Sequence, residues 1–476
     1  MTYLGLDLGT SGVKALLIDN KQNALAEGHA PLTVERPHPM WSEQDPLSWI
    51  TACEAAIAQV RVAAPSEFSA LRGIAVSGQM HGATLLDEND EPLRPAILWN
   101  DGRSHAECDE LKQLADFRGI GGNIVMAGFT APKLRWVQKN EPAIFARIRK
   151  VLLPKDFINL WLTGEYVSEM SDAAGTLWLD VAKRDWSDTL LAATELTRDH
   201  MPRLVEGSER VGDLRSELVG QWGVENVAVG GGAGDNAATA CGLGVVQPGQ
   251  GFLSLGTSGV LFSVTNTFAA NTDSAVHSFC HAVPNTWHQM GVILCATDAL
   301  AWLGQITGQK PAALADLVQG VTAPSPITFL PYLSGERTPH NAPNATGAFN
   351  GLRRDHTLSD MVQAVMEGVG FAFADCCAAL DACGSLPNSV YVAGGGSQSD
   401  TWLQMLANIT ELTLNVPDSG AQGAALGAAR LAMLARGDGT ETDVLSPATI
   451  EKTYKPDPLL TEEYADGLHA FRSAWR

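Results

Sequence analysis

The chain has 476 residues and carries 53 Asp and Glu against 32 Lys and Arg, a formal charge of −21. That field repels polyanions, so a nucleic-acid or anionic-membrane partner is not expected, although a local pocket of N–H groups, a cation or two and Mg²⁺ can still hold a nucleotide. The length suits two large domains, or three. No apolar run reaches membrane-spanning length, and the eight scattered Cys lack metal spacing, so they read as buried free thiols in a reducing, cytoplasmic setting.

The chain enters a strand at once. From Tyr3 to Leu8, Leu4, Leu6 and Leu8 share one face while Gly5, Asp7 and Gly9 share the other. Asp7 therefore stands between two glycines, with room expected beside it for a ligand. Gly9, Thr10 and Ser11 form a tight turn, and Val13–Ile18 returns as the second strand. Glycines and hydroxyls at such a turn let backbone N–H groups converge on an anion. Lys14 reads either as a further phosphate contact or as a solvated strand lysine.

Asp45-Pro46 opens a helix expected over Leu47–Ala63. Three short strands then end in polar clusters. Leu71–Val76 runs into Ser77-Gly78-Gln79-Met80-His81-Gly82. Pro95–Trp99 runs into Asn100-Asp101-Gly102-Arg103. Val151–Pro154 runs into Lys155-Asp156. Strands that stop in such clusters are a common way to build a site in an α/β domain. Val227–Val229 leads through a glycine run to Asp235-Asn236 and an Ala-rich helix, Ala237–Gly244. Asp235 reads as a helix N-cap or as a carboxylate facing a cleft.

Val246–Gly251 is turn-rich and marks a domain boundary, giving units 1–246 and 247–476. Directly after it the hexapeptide Leu-Gly-Thr-Ser-Gly-Val, first seen at Leu8–Val13, recurs at Leu255–Val260. Repetition about half a chain apart points to two similar halves facing each other, with Gly256, Thr257 and Ser258 forming a second phosphate hairpin. Further on come a strand at Ile327–Leu330, a polar loop over Leu333–Pro343, a helix at Leu358–Phe373 with a core-facing stripe, a strand at Ser389–Ala393 and a helix at Asp400–Ile409. A last helix is expected over Gln422–Ala435. Gly394-Gly395-Gly396, after the Ser389 strand, allows backbone to approach a flat ring or a ribose.

Phosphoryl transfer needs an anionic anchor for Mg²⁺ and a base for the attacking hydroxyl; Asp7 suits the first role and Asp235 the second. Taken together, Leu6–Ser11, Gly231–Asn236, Gly256–Ser258 and Gly394–Gly396 resemble the FGGY carbohydrate kinases. Gly128–Trp136 and the stretch from Gly347–Leu352 through Ala364–Glu367 resemble the two signatures of that family. The resemblance implies an α/β fold of two actin-like (ribonuclease-H-type) domains around a cleft, ATP and Mg²⁺ as nucleotide and metal, and a homodimer. It implies Asp235 as the base, Asp7 near metal and phosphates, and a sugar site formed by Met80, His81, Asp235, Asn236, Trp99 and Arg103. Nucleotide contacts would come from Gly9, Thr10, Ser11, Lys14, Gly256, Thr257, Ser258 and Gly394–Gly396. Met80-His81 stands where glycerol-specific members carry an Arg-Glu pair, which argues against glycerol, and Gln79–Gly82, Trp99–Arg103, Leu153–Asp156 and Leu333–His340 resemble the motifs of members that phosphorylate D-xylulose, at O5. Another ketopentose or a pentitol is the neighbouring alternative. A non-catalytic sugar sensor would need a basic DNA-binding segment, which neither end of the sequence offers.

Overall fold

The computed structural model describes residues 1–318, 324–418 and 423–475. Two seven-stranded sheets organise them. The first runs in the order Arg210–Asp213, Ala228–Gly230, Leu71–Gly78, Thr2–Leu8, Gly12–Asp19, Ala24–Pro31, with Ala233–Gly234 also paired to Leu71–Gly78. The second runs His277–Cys280, Trp287–Ile293, Gly259–Thr265, Gly251–Leu255, Ser389–Ala393, Thr413–Pro417, Ile450–Tyr454. Each is built on the same unit. An antiparallel hairpin carries the repeated hexapeptide, and a later strand lies parallel to its first arm: Leu71–Gly78 beside Thr2–Leu8, and Ser389–Ala393 beside Gly251–Leu255. The internal repeat is thus a repeat of architecture, that of two actin-like α/β domains.

The opening strand follows from alternation: Leu4, Leu6 and Leu8 are fully buried in one core, with Trp49, Ile57 and Val60 of the helix Pro46–Ala63 on the same side. Asp45 caps that helix, its carboxylate accepting from Leu47 N at 3.0 Å, with Pro46 at the first position. The opposite face of the strand, expected to leave room beside its glycines, is covered at Gly5 but not at Gly9, where a Cβ would meet only Gly12 O at 3.2 Å. A Cβ on Gly5 would lie 1.9 Å from the carbonyl oxygen of Ala425. The small-residue helix Gly423–Arg436 occupies that face, packing on Thr2–Leu8 and Leu71–Gly78 and against the helix Asp235–Leu243, where a Cβ on Gly427 would meet Ala238 O at 1.8 Å. A helix from the second half of the chain therefore backs the first sheet. Its expected first residue, Gln422, lies outside the described residues.

Two further expectations change. The helix from Leu358 continues to Asp381 and is buried on nearly all sides, in a core with Phe329, Trp402 and Leu406. By length and composition it is apolar enough to cross a membrane, but 83% of its most apolar window is buried inside the protein. The helix Gly423–Arg436 is also not the last one. Pro458–Ala474 follows, capped by Asp457, and sets Tyr464 and Phe471 into the second core. A third apolar cluster joins the halves: Phe129, Leu177 and Trp178 pack with Phe252, Phe262, Phe279 and Met290. The eight Cys are all free, and all but Cys383 are buried.

Candidate functional site

Strand register brings the two acids together. Asp7 is opposite Ser77 on the parallel neighbour, and the two-residue strand Ala233–Gly234 pairs in parallel with Ser77–Gly78 on the other side. Asp7, Ser77 and Asp235 therefore stand at the carboxyl ends of adjacent parallel strands, where open α/β sheets hold ligands. Ser77 Oγ donates to Asp7 Oδ1 at 3.1 Å. Asp235 is the first residue of the helix Asp235–Leu243, whose N-cap is Gly234, so its carboxylate is not the cap. It accepts instead from Asn236 N at 2.7 Å and Asn236 Nδ2 at 3.0 Å.

Burial, and after it the Asp7 carboxylate, pushes the Asp235 carboxyl up to about 6 against the opposing hydrogen bonds from Asn236. Burial also raises Asp7, with Ser77 and Lys14 pulling it back. A carboxylate at about 6 is still mostly ionised at neutral pH, and it is a stronger base than an ordinary one.

The turn that presents Asp235 is pinned from behind. Gly234 N donates to Glu169 Oε1 and Ser171 Oγ, both at 3.1 Å. Glu169 is fully buried and N-caps the short helix Met170–Ala174. Beneath it Lys155, also fully buried, donates to Asp156 Oδ1 at 2.7 Å and lies 3.8 Å from Asp172 Oδ2. Burial alone pulls Lys155 down, but Asp156, Asp172 and Glu169 outweigh it and keep the ammonium charged. At the other end of that helix, Gly175 O is 2.6 Å from His81 Nδ1. A carbonyl can only accept, so Nδ1 carries the proton and Nε2 is left as an acceptor.

His81 adopts φ 70° and sits edge-on to Phe129 at 4.6 Å. Burial first, then Lys133 and Arg337, push its pKa down to about 3, so it is neutral at physiological pH. Met80 lies over Gly234, whose added Cβ would come 3.0 Å from Met80 Cγ. Met80, His81, Asp235 and Asn236 are thus gathered around one turn.

Trp99 and Arg103 are placed differently. Trp99 is 43% exposed and its Nε1 donates to Thr10 Oγ1 at 3.0 Å, beside the first hairpin. Arg103 is buried, with bidentate bonds to Asp101 of 2.9 and 2.6 Å and a third to Glu43 at 2.6 Å, its guanidinium stacked 3.6 Å over the Trp41 ring. It holds the loop that bears Trp99 and is not directed at Met80 or His81.

The two hairpins differ in how they are fixed. Thr10 Oγ1 donates to Gln79 Oε1 at 2.9 Å and accepts from Trp99, while Thr10 O accepts from Gln44. In the second hairpin the backbone is tied: Gly256 O and Thr257 O accept from Thr297 N at 2.9 Å and Ala296 N at 2.8 Å. Among the described residues, Ser11, Thr257 and Ser258 make no side-chain hydrogen bond, and Thr257 is exposed. Lys14, in register with Asp7, is 3.1 Å from Glu27.

Gly394, at φ 93°, lies so close to the second hairpin that a Cβ would be 2.7 Å from Leu255 C and O. It opens a groove of about 580 Å³ lined by Gly394, Gly395, Gln398, Asp400, Lys452 and Tyr454, wide enough for a nucleoside. Other residues at the site gave no local signal in the sequence. Glu169 lies in the polar stretch Ser168–Asp172, and His277 and Asn123 lie in short apolar or mixed runs. Arg337 lies in the polar loop already noted, but nothing in that loop says where its guanidinium goes.

Comparison with known proteins gives the class. The FGGY carbohydrate kinase N-terminal domain matches residues 2–242 and the C-terminal domain matches 251–436. The chain belongs to the FGGY family of carbohydrate kinases. Within it, the chain is 48% identical over 478 residues to the xylulose kinase of Escherichia coli (strain K12), covering 100% of this chain and 98% of that one. Among solved structures it resembles a "xyloylose kinase" from Brucella ovis, with 53% identity, TM-score 0.98 and coverage of 100% and 99%. It also resembles the xylulose kinase of Rhodospirillum rubrum, with 29% identity, TM-score 0.92 and coverage of 100% and 98%.

Proposed function

We propose that the protein transfers the γ-phosphoryl group of ATP to O5 of D-xylulose. The observation that carries this reading is the Asp7–Asp235 pair at the ends of two parallel strands that flank Leu71–Gly78, with the Asp235 carboxyl raised to about 6 next to Met80 and His81. The names of the full-length relatives support the sugar.

In this reading the first unit, 1–246, holds the sugar and its base, and the second, 247–476, holds the adenosine in the groove beside Gly394. The two hairpins offer backbone N–H groups to the phosphates from either side. Asp235 accepts the proton of the attacking hydroxyl as the O5–phosphorus bond forms and the bond to ADP breaks. Asn236 and the pinned Gly234 turn keep that carboxylate aimed. Neutral His81 presents Nε2 to a sugar hydroxyl, and Thr10, held by Gln79 and Trp99, keeps the first hairpin rigid.

Mg²⁺ fits this donor set. It is commonly held by one or two carboxylates together with substrate phosphates, and Asp7 is one such carboxylate, half-buried at the end of its strand. Asp7 would hold it, and the ion would neutralise charge on the phosphates.

The test is coupled ADP release with Mg·ATP against D-xylulose, D-ribulose, L-ribulose, ribitol and glycerol. D-xylulose is expected to give the highest kcat/KM. A higher value for another sugar would overturn the substrate, and release that no sugar stimulates would overturn the activity.

A further inference from the structure

Arg337 is an arginine in a half-buried place without the partner such residues normally have. Arg103 is held by Asp101 and Glu43, Arg184 by Glu206 at 2.6 Å, and Arg94 by Glu43 and Glu141. Among the described residues the Arg337 guanidinium forms no ion pair, and its one side-chain hydrogen bond runs from Nη1 to His277 Nε2 at 3.3 Å. Burial works against its charge and Glu336 supports it, but the two side chains form no ion pair, and Glu336 Oε1 accepts from Leu294 N and Arg337 N instead. A guanidinium has five N–H donors, and a single hydrogen bond leaves most of those of Arg337 available to a ligand.

Arg337 is also held in place from the opposite half of the chain. Asn123 Nδ2 donates to Gly121 O and Ser278 O, both at 2.9 Å, which fixes the amide so that Oδ1 faces His277 Nδ1 at 2.8 Å. His277 is buried and neutral, so Nδ1 gives its proton to Asn123 and Nε2 is left to accept from Arg337. The chain Asn123–His277–Arg337 crosses from the first unit to the second beside the sugar site: Phe129 lies 4.6 Å from the His81 ring and 5.7 Å from the His277 ring.

The position along the sugar follows from these contacts. Arg337 reaches the site through His277 and Phe129, which pack next to His81, whereas the Asp235 carboxylate is held by Asn236 at the turn after Gly234. Arg337 is thus on the His81 side of the site. We propose that Arg337 reads the carbonyl end of the bound ketose, donating to oxygens at C1–C2, and that His277 and Asn123 are its positioning residues. The inference rests on the sugar-kinase reading above.

The experiment compares the native protein with Arg337→Gln, Arg337→Lys and His277→Phe by coupled ADP release. D-xylulose is the substrate, and xylitol, the pentitol in which the carbonyl carbon is reduced, is the alternative substrate or competitor. Arg337→Gln is expected to lower kcat/KM for D-xylulose about ten- to a hundredfold, as for loss of a charged hydrogen bond, mostly through KM of the sugar. KM for ATP should stay within about twofold and xylitol should lose less, so that ketose-over-pentitol discrimination collapses. Arg337→Lys should restore part of it, and His277→Phe, which keeps a ring against Phe279, should move it the same way by less. Were Arg337→Gln to melt early, Arg337→Lys would carry the comparison. Equal losses for both sugars, or a loss confined to kcat or to KM for ATP, would overturn the inference alone. A native protein inactive on D-xylulose would overturn the function and this inference with it.

Discussion

The two hairpins carry the same six residues and do different things. The first is preceded by Asp7 and the second by Ser254; Lys14 follows the first, and Leu261 takes the corresponding place after the second. In the first, the threonine hydroxyl is spent on Gln79 and Trp99, and in the second it is exposed while the backbone is tied to Ala296 and Thr297. Duplication preserved the backbone turn, which is what an anion needs, and left the side chains before and after it to diverge. In the proposed reading the chemistry is therefore one-sided: both acids are on the first sheet, and the open threonine hydroxyl is on the second.

That asymmetry can be broken experimentally. The largest contrast is expected between the residues preceding the hairpins. Asp7→Asn should lower kcat by about a hundredfold or more, since it removes the proposed anionic anchor at the phosphates. Ser254→Ala should leave kcat within about threefold; comparable losses would mean that the halves share the chemistry. Next comes the helix that backs the first sheet. Gly427→Val pushes a side chain into Ala238 O, which a Cβ would already meet at 1.8 Å, and should cost about 3 kcal/mol or more in urea unfolding. An unchanged midpoint would mean that the helix does not pack so closely. Thr10→Val removes two side-chain hydrogen bonds and should cost about 1–3 kcal/mol, whereas Thr257→Val should leave stability within about 0.5 kcal/mol and raise KM for ATP a few-fold.

The smallest effect is in pH. The base must be ionised to accept a proton, so the acid limb of kcat/KM for the sugar should rise through about pH 6 and flatten above it, following the raised Asp235 carboxyl. An acid limb near pH 4 would place the base elsewhere.

Much of this was legible in the sequence, because local rules wrote it. Alternation of leucine and glycine gave the opening strand, and glycine runs gave the turns at Asp235 and Gly394. What stayed hidden depends on distant partners. Nothing around Gly5 says that Ala425 covers it, and the space expected beside Asp7 is partly filled for that reason. Arg103 lies in a strand-end cluster like that of Met80 and His81, yet Asp101 and Glu43 claim it. The helix Pro458–Ala474 was readable, since Asp457-Pro458 repeats the signal of Asp45-Pro46. Arg337, His277 and Asn123 are joined only by tertiary folding.

The central claim is that Asp235 takes the proton from the sugar. Its most direct test is Asp235→Ala, with sugar affinity measured by calorimetry and turnover by ADP release on the same preparation. The expected result is D-xylulose binding within about tenfold of native and turnover reduced about a hundred- to ten-thousandfold, the range for loss of a general base. Turnover close to native with an intact fold would contradict the assignment.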